Sequence, residues 1–283
     1  MTARSTTGTG ESPTEGHAPG RTIAERPTCS VVVPVLNDAT ELSGLLAALD
    51  RQTEPPLEVV VVDNGSSDES AALAREAGCR VLSEPRPGIA AAASTGYDAA
   101  RGDLILRCDA DTRPEPSWVA AHRLAHRRAT SRRPGRRRVV AVTGPGMFDL
   151  PPPLGTLTSV AYHGAYTLAS AAALGHPPLF GTTSSFRRDW WLEVRGCASR
   201  SSAVHDDMDL SFCVRPTETV LLSRAVTVGM SPRALRPGSG MRQRFLRAGR
   251  TLVRAWRRQL PWFRWWHRGT ARAHLLRGVR GGR

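Results

Sequence analysis

From Cys29 onward, short apolar runs alternate with stretches whose leucines and alanines recur at helical spacing. CSVVVPVLN is β-branched and reads as a strand. ATELSGLLAALDRQ follows, with Leu42, Leu45, Leu46 and Leu49 on one helical face. LEVVVVDNGSSD reads as a second strand with an abrupt polar end, and ESAALAREAG as a helix closed by Gly78. CRVLSEP predicts a third strand, GIAAAASTGYDAARG an alanine-rich helix and DLILRCDAD a fourth strand. RRVVAVTGPGMF predicts a fifth. Alternation of this kind implies parallel strands joined by right-handed crossovers. Unbroken runs such as VVVV fit a sheet covered on both faces. In such sheets ligands gather at the carboxyl ends of the strands. Three polar clusters fall there: Asn37–Asp38, Asp63 to Asp68, and Asp109-Ala-Asp111. Residues 151–180 are apolar and bounded by prolines, which predicts a helix buried in or docked on the domain.

Charge divides the 283-residue chain unevenly. All 39 basic residues are arginine, the net charge is +14, and no acidic residue follows Glu218. Sixteen arginines lie between Arg224 and Arg283, so a near-neutral body carries a strongly basic tail. The expected organisation is a disordered leader over 1–27, a catalytic domain over 28–232 and a basic, aromatic-rich helical tail over 233–283. The leader has no apolar signal core, and no run of 18 apolar residues predicts a membrane span. Five scattered cysteines without a CxxC pair read as free thiols of a reducing cytoplasm. Eight arginines between 122 and 138 read as a solvated helix end and loop.

Asp109 and Asp111 are two apart, and on an extended strand both would project to one side. Paired carboxylates there suit a hard cation, Mg²⁺ or Mn²⁺, that bridges a diphosphate. A nicotinamide-binding Rossmann domain would need GxGxxG after the first strand, and the chain has PVLNDAT. A nucleotidyltransferase would want a glycine-rich, basic phosphate loop at the same place.

VVVPVLND, VVVDNGSSD, the strand ending in CDAD, and FGTTSSFRRDWWLEVRGC followed by HDDMDLSF resemble the family 2 glycosyltransferases over about Cys29 to Val214. The resemblance implies a GT-A fold: α/β, Rossmann-type, with a mixed, mainly parallel sheet flanked by helices. It implies inverting transfer from a nucleoside diphosphate-sugar to a hydroxyl-bearing acceptor, lipid-linked acceptors included. Pro34, Val35, Asn37 and Asp38 would line the base and ribose, and Asp63 would bind the base beside Gly65 and Ser66. Asp109 would contact ribose or sugar, and Asp111 would hold the metal. In the acidic pair Asp206–Asp207 the second member would be the catalytic base. His205 and Asp209 flank it as secondary, acceptor-side candidates. Single in-line displacement needs such a separate carboxylate on the face opposite the leaving diphosphate.

The chain departs from the family pattern at three places. Ala93-Ser94 replaces Arg-Asn, Asp206 replaces glutamate, and Cys213 replaces arginine. A non-catalytic membrane- or nucleic-acid-binding protein with a degenerate transferase domain is the rival reading, which retention of Asp63, Asp109, Asp111 and Asp207 opposes. Gln243-Arg244 and Trp256 lack the spacing of a processive synthase.

In the tail, Phe245, Leu252, Val253, Trp256 and Leu260 share a helical face, and Arg247, Arg250, Arg254, Arg257 and Arg258 populate the rest. Arginine beside tryptophan suits an anionic membrane surface. Expected localisation is therefore cytoplasmic, peripheral on the inner face of the plasma membrane. Nucleic acid is the least favoured partner.

Overall fold

A computed structural model describes residues 26–130, 136–235 and 239–280. Most of the expected leader lies outside them, as does part of the arginine-rich loop. The first half follows the alternation read from the sequence: β1 Cys29–Val35, α1 Ala39–Asp50, β2 Glu58–Asp63, α2 Ser70–Glu76, β3 Arg80–Ser83, α3 Ile89–Ala99 and β4 Leu104–Arg107. β5 Thr112–Pro114, α4 Trp118–Thr130, β6 Arg138–Thr143, β7 Gly146–Phe148 and α5 Leu154–Leu174 follow. β8 Ser184–Arg187, α6 Arg188–Val194, α7 Asp206–Phe212, β9 Glu218–Leu222, β10 Val228–Met230, α8 Ser239–Arg258 and α9 Pro261–Arg280 complete the described chain.

The main sheet has the order β3-β2-β1-β4-β8-β6-β9. β8 runs antiparallel to both neighbours, and the other pairs are parallel, so the expected mixed, mainly parallel sheet is present. Successive β1 side chains serve opposite faces. Val31 and Val33 join Leu42, Leu45, Leu104, Leu106 and Trp118 in one core. Val32 joins Val60, Val62, Tyr97, Ile105, Phe186, Trp190 and Trp191 in the other. The expected fifth strand is two strands: β6 stays in the main sheet, and after Gly144-Pro145 β7 pairs with β10 in a small sheet ordered β5-β10-β7.

One expectation changes here. β4 ends at Arg107, so Asp109 and Asp111 lie beyond it in a turn. The Thr112 amide donates to Asp109 O (3.1 Å) and the Asp109 amide to Thr112 Oγ1 (3.1 Å). Their common location comes from this turn rather than from strand alternation. The tail keeps the amphipathic face read in its sequence, and the structure adds which way that face turns. On α8 the inward residues are Thr251 and Ala255, with Arg254 and Arg258 reaching Asp209 and the Cys197 carbonyl. Val253 and Trp256 are exposed. Among the described residues, no helix is long and apolar enough to cross a membrane.

Close packing of α3 on the sheet depends on Gly96. A Cβ there would lie 2.3 Å from Val32 Cγ1 and 3.0 Å from Val62 Cγ2. Gly96→Ala should therefore lower stability by about 1–3 kcal/mol through overpacking, despite alanine's better helix propensity. Chemical denaturation of the two proteins checks the sign.

Candidate active site

A cavity of about 670 Å³ opens at the carboxyl edge of the main sheet. β1 delivers Pro34 and Val35, and the turn after it delivers Asp38. The turn after β4 brings Asp109 and Asp111, and the start of α7 brings Asp206 and Asp207, preceded by His205. All eight were expected at the site and all line this one cavity. Asn37, Asp63, Gly65 and Ser66 do not line it. They lock the turns after β1 and β2 together beside it. Asn37, at φ 51°, donates its amide to Ser66 Oγ (3.0 Å) and accepts at Oδ1 from the Ser67 amide (2.8 Å). The Ser66 amide donates to Asp63 Oδ1 (3.0 Å). Asp209 points elsewhere. Its carboxylate accepts from the Ser199 amide (2.6 Å) and from Arg254 Nε (3.2 Å).

At the centre of the cavity wall is a residue the sequence reading passed over. Arg107, the last residue of β4, is 3% exposed, and its Nη2 lies 3.0 Å from both Asp109 Oδ1 and Asp206 Oδ2. Its Nε has no partner among the described residues. The guanidinium occupies the space where Gly181 would carry a side chain: a Cβ there would lie 1.7 Å from Arg107 Nη1. Burial opposes the charge, but Asp206 and Asp109 outweigh it and hold Arg107 firmly protonated. A charge at the end of the apolar run LILR was the available signal.

A second arginine joins the turns after β1 and β4. Arg233 donates to both oxygens of Asp38 (2.9 and 2.8 Å) and lies 3.1 Å from Asp111 Oδ2. No local pattern marks it. Further wall comes from Tyr162, His163 and Tyr166 of α5 and from Arg247 of α8. His163 Nε2 accepts from the Gly146 amide (3.0 Å), which places its proton on Nδ1, an atom without a partner among the described residues. Burial keeps this imidazole neutral.

The carboxylates are shifted in opposite directions. Burial raises the Asp109 pKa, with Arg107 opposing. Burial and the Asp109 charge raise Asp111, with Arg233 opposing. Asp207 moves the other way. Burial would raise it, but the His205 charge and hydrogen bond, Arg107 and the Gly181 amide together bring it to about 2. Its Oδ1 meets His205 Nδ1 (2.7 Å) and the Met208 amide (2.6 Å), and Oδ2 accepts from the Gly181 amide (2.9 Å). The Asp207 charge lifts His205 to about 9 despite burial. His205, Asp206 and Asp207 also offer ligand atoms within 4.8 Å of one another. Without a cation, His205 and Asp207 form an ion pair through Nδ1 and Oδ1. Asp111 and Asp109 supply the oxygen donors that a hard divalent cation prefers.

Two outcomes follow from these contacts. Arg107→Met should cost about 3–5 kcal/mol, because buried carboxylates lose their counter-charge. Urea denaturation at neutral pH measures it, and the loss should shrink at acid pH as the carboxyls protonate. His205 carries a folded pKa above the ordinary imidazole value of 6.5, so its contribution is complete below about 6.5 and disappears as pH rises through about 9. Melting temperature should fall over that window, and His205→Gln should flatten the fall.

Against known proteins, the model of the glycosyl transferase family 2 matches residues 30–127. Glycosyltransferase AglE of Haloferax volcanii is 33% identical over 101 residues, covering 33% of this chain and 33% of that protein. The undecaprenyl-phosphate 4-deoxy-4-formamido-L-arabinose transferase of Edwardsiella ictaluri is 40% identical over 101 residues, covering 32% of this chain and 31% of that protein. The matched stretch thus spans about a third of these relatives' length. Glucosyl-3-phosphoglycerate synthase of Mycobacterium tuberculosis, solved with Mn²⁺, UDP and phosphoglyceric acid, superposes with a TM-score of 0.59 at 19% identity, covering 84% of each chain. Mannosyltransferase PcManGT of Pyrobaculum calidifontis, solved with GDP-Man and Mn²⁺, gives 0.57 at 21% identity, covering 92% of this chain and 79% of that one. At such identities the likeness establishes the fold, and the GT-A expectation is met.

Proposed function

We propose, from the family 2 match over residues 30–127 and the fold shared with solved glycosyltransferases, that this chain is a family 2 glycosyltransferase that transfers a sugar, with inversion, from a nucleoside diphosphate-sugar to a hydroxyl acceptor. The observation that carries the reading is the convergence of Asp38, Asp109, Asp111, Asp206 and Asp207 on one cavity, organised around Arg107. Pro34, Val35 and Asp38 form the nucleotide end of that cavity. Asn37, Asp63, Gly65 and Ser66 hold its rim and reach the base from the adjoining turn. Asp109 faces ribose or sugar. Asp111 holds Mg²⁺ or Mn²⁺, metals present in the mycobacterial synthase structures. When bound there, the metal supplies Lewis-acid stabilisation of the departing diphosphate.

Asp207 accepts the proton of the attacking hydroxyl. A carboxylate held near a pKa of 2 is a weak base toward a free alcohol, so the proton moves only as the new glycosidic bond forms and the hydroxyl becomes acidic. His205 and the Gly181 amide fix the orientation of that carboxylate. Asp206 holds Arg107 toward the sugar, and Asp209 ties α8 to the loop before α7, a positioning role. The acceptor enters past Tyr162, His163 and Tyr166. Three curated relatives are transferases named for undecaprenyl phosphate, which favours a lipid-linked acceptor. The tail, residues 233–283, lies against an anionic membrane surface in this reading.

Thermal shift with a panel of nucleotide-sugars, with and without Mn²⁺, identifies the donor. With that donor, Asp207→Asn should lower kcat by at least about 10³-fold while leaving the donor-induced shift intact. Asp111→Ala should remove the metal-dependent part of the shift. Equal loss of donor binding in both variants would refute the division of roles.

A further inference from the structure

The two faces of α5 are chemically opposite. Tyr162, His163 and Tyr166, on one side, line the cavity. On the other, Leu157 is 64% exposed, Val160 65% and Leu168 77%, and Ala161, Gly164, Ala165 and Ala172 are exposed among them. No residue from 151 to 175 is charged. α9 continues this surface, since the indole N–H of Trp265 donates to Ala172 O (2.9 Å). Trp262 is 62% exposed and Trp266 69%, with Phe263 and Trp265 beside them.

This outward display is imposed by arginines on the inner side of α9. Buried Arg264 donates to the carbonyls of Leu174, Phe212 and Val214, and buried Arg268 to those of Gly175, Arg215 and Glu218. The arginines thereby neutralise the carbonyl ends of α5 and α7. With Arg264 and Arg268 turned inward, one helical turn apart, the tryptophans between them have only the outside to occupy. α8 displays Leu246, Val253 and Trp256 next to exposed Arg242, Arg250 and Arg257.

We propose that the outer faces of α5 and α9 together dock on a bilayer containing anionic lipid, with α5 as the wall between the membrane and the acceptor end of the cavity. Tryptophans settle at headgroup depth, leucines reach the acyl boundary, and arginines meet lipid phosphates. Charge argues against a second copy as the occupant. No acidic residue follows Glu218, so a two-fold contact through this surface would set arginine-rich tails against each other. An α-helix with its side chains is about 10 Å across. An acceptor whose chain stays in the bilayer can therefore present a polar head to Tyr162, His163 and Tyr166. This part rests on the transferase reading; the docking surface itself does not.

The test uses the full chain, because truncating the tail would leave the carbonyls held by Arg264 and Arg268 without partners. Co-sedimentation is measured with vesicles of phosphatidylcholine carrying about 30% phosphatidylglycerol and with phosphatidylcholine alone. The wild type should bind the anionic vesicles preferentially. Leu157→Gln/Leu168→Gln and Trp262→Ala/Trp266→Ala should each weaken that binding by about tenfold or more. Leu168→Trp should strengthen it. None should alter the donor-induced thermal shift, which reads the transferase site separately and without lipid. Wild-type binding by the α5 variant would overturn the proposal. So would a solution dimer that the same substitutions dissociate.

Discussion

A guanidinium buried at the end of a central strand cannot shed its proton, so the structure around Arg107 has to supply counter-charge. Asp109 and Asp206 do so, at 3.0 Å each, from segments nearly a hundred residues apart. That single requirement draws the turn after β4 and the start of α7 to the same point. It also explains the bare backbone at Gly181, whose missing side chain leaves room for the guanidinium and whose amide steadies Asp207. Asp109 and Asp206 therefore share one counter-charge, while Asp207 keeps its own partners in His205 and the Gly181 amide.

A related device fixes the tail. Arg254, Arg264 and Arg268 turn inward to a carboxylate and to helix-terminal carbonyls. Burying arginine is costly unless its donors are satisfied, and here two of them find three backbone carbonyls each. The consequence is an inside-out pair of helices, with arginine against the domain and tryptophan toward the surroundings. Tail and domain are coupled for a further reason: Thr251 of α8 accepts from the His205 amide, immediately before the acidic pair.

The sequence made the first half of the fold legible because its elements are local. Unbroken apolar runs and period-3.6 patterns from Cys29 to Arg107 correspond to β1 through β4 and the helices between them. Site residues within sharp polar strand ends were legible for the same reason. What escaped was non-local. The antiparallel β8, SSFR, is too short for a period to register. Arg233 reaches Asp38 across 195 residues, and nothing near it in the chain announces the contact. The tail's apolar face was legible as a pattern, but the inward contacts of Arg254, Arg264 and Arg268 that leave tryptophans outside are non-local.

Charge balance links the cavity to its ligand. Five carboxylates line it against three arginines and a histidine held protonated at neutral pH by its neighbour. The site is close to neutral on its own and slightly acidic. A diphosphate entering alone would add negative charge to a wall where burial already pushes Asp109 and Asp111 toward protonation. In the proposed reading, electrostatics would leave two ways to admit a diphosphate donor: protonate a carboxyl, which would remove a ligand, or bring a divalent cation with the diphosphate. The second keeps Asp109 and Asp111 ionised and leaves Asp207, already satisfied by His205 and Gly181, outside the cation's charge balance. That separation is what an in-line displacement requires, since the base and the leaving-group cation must act on opposite faces of the sugar.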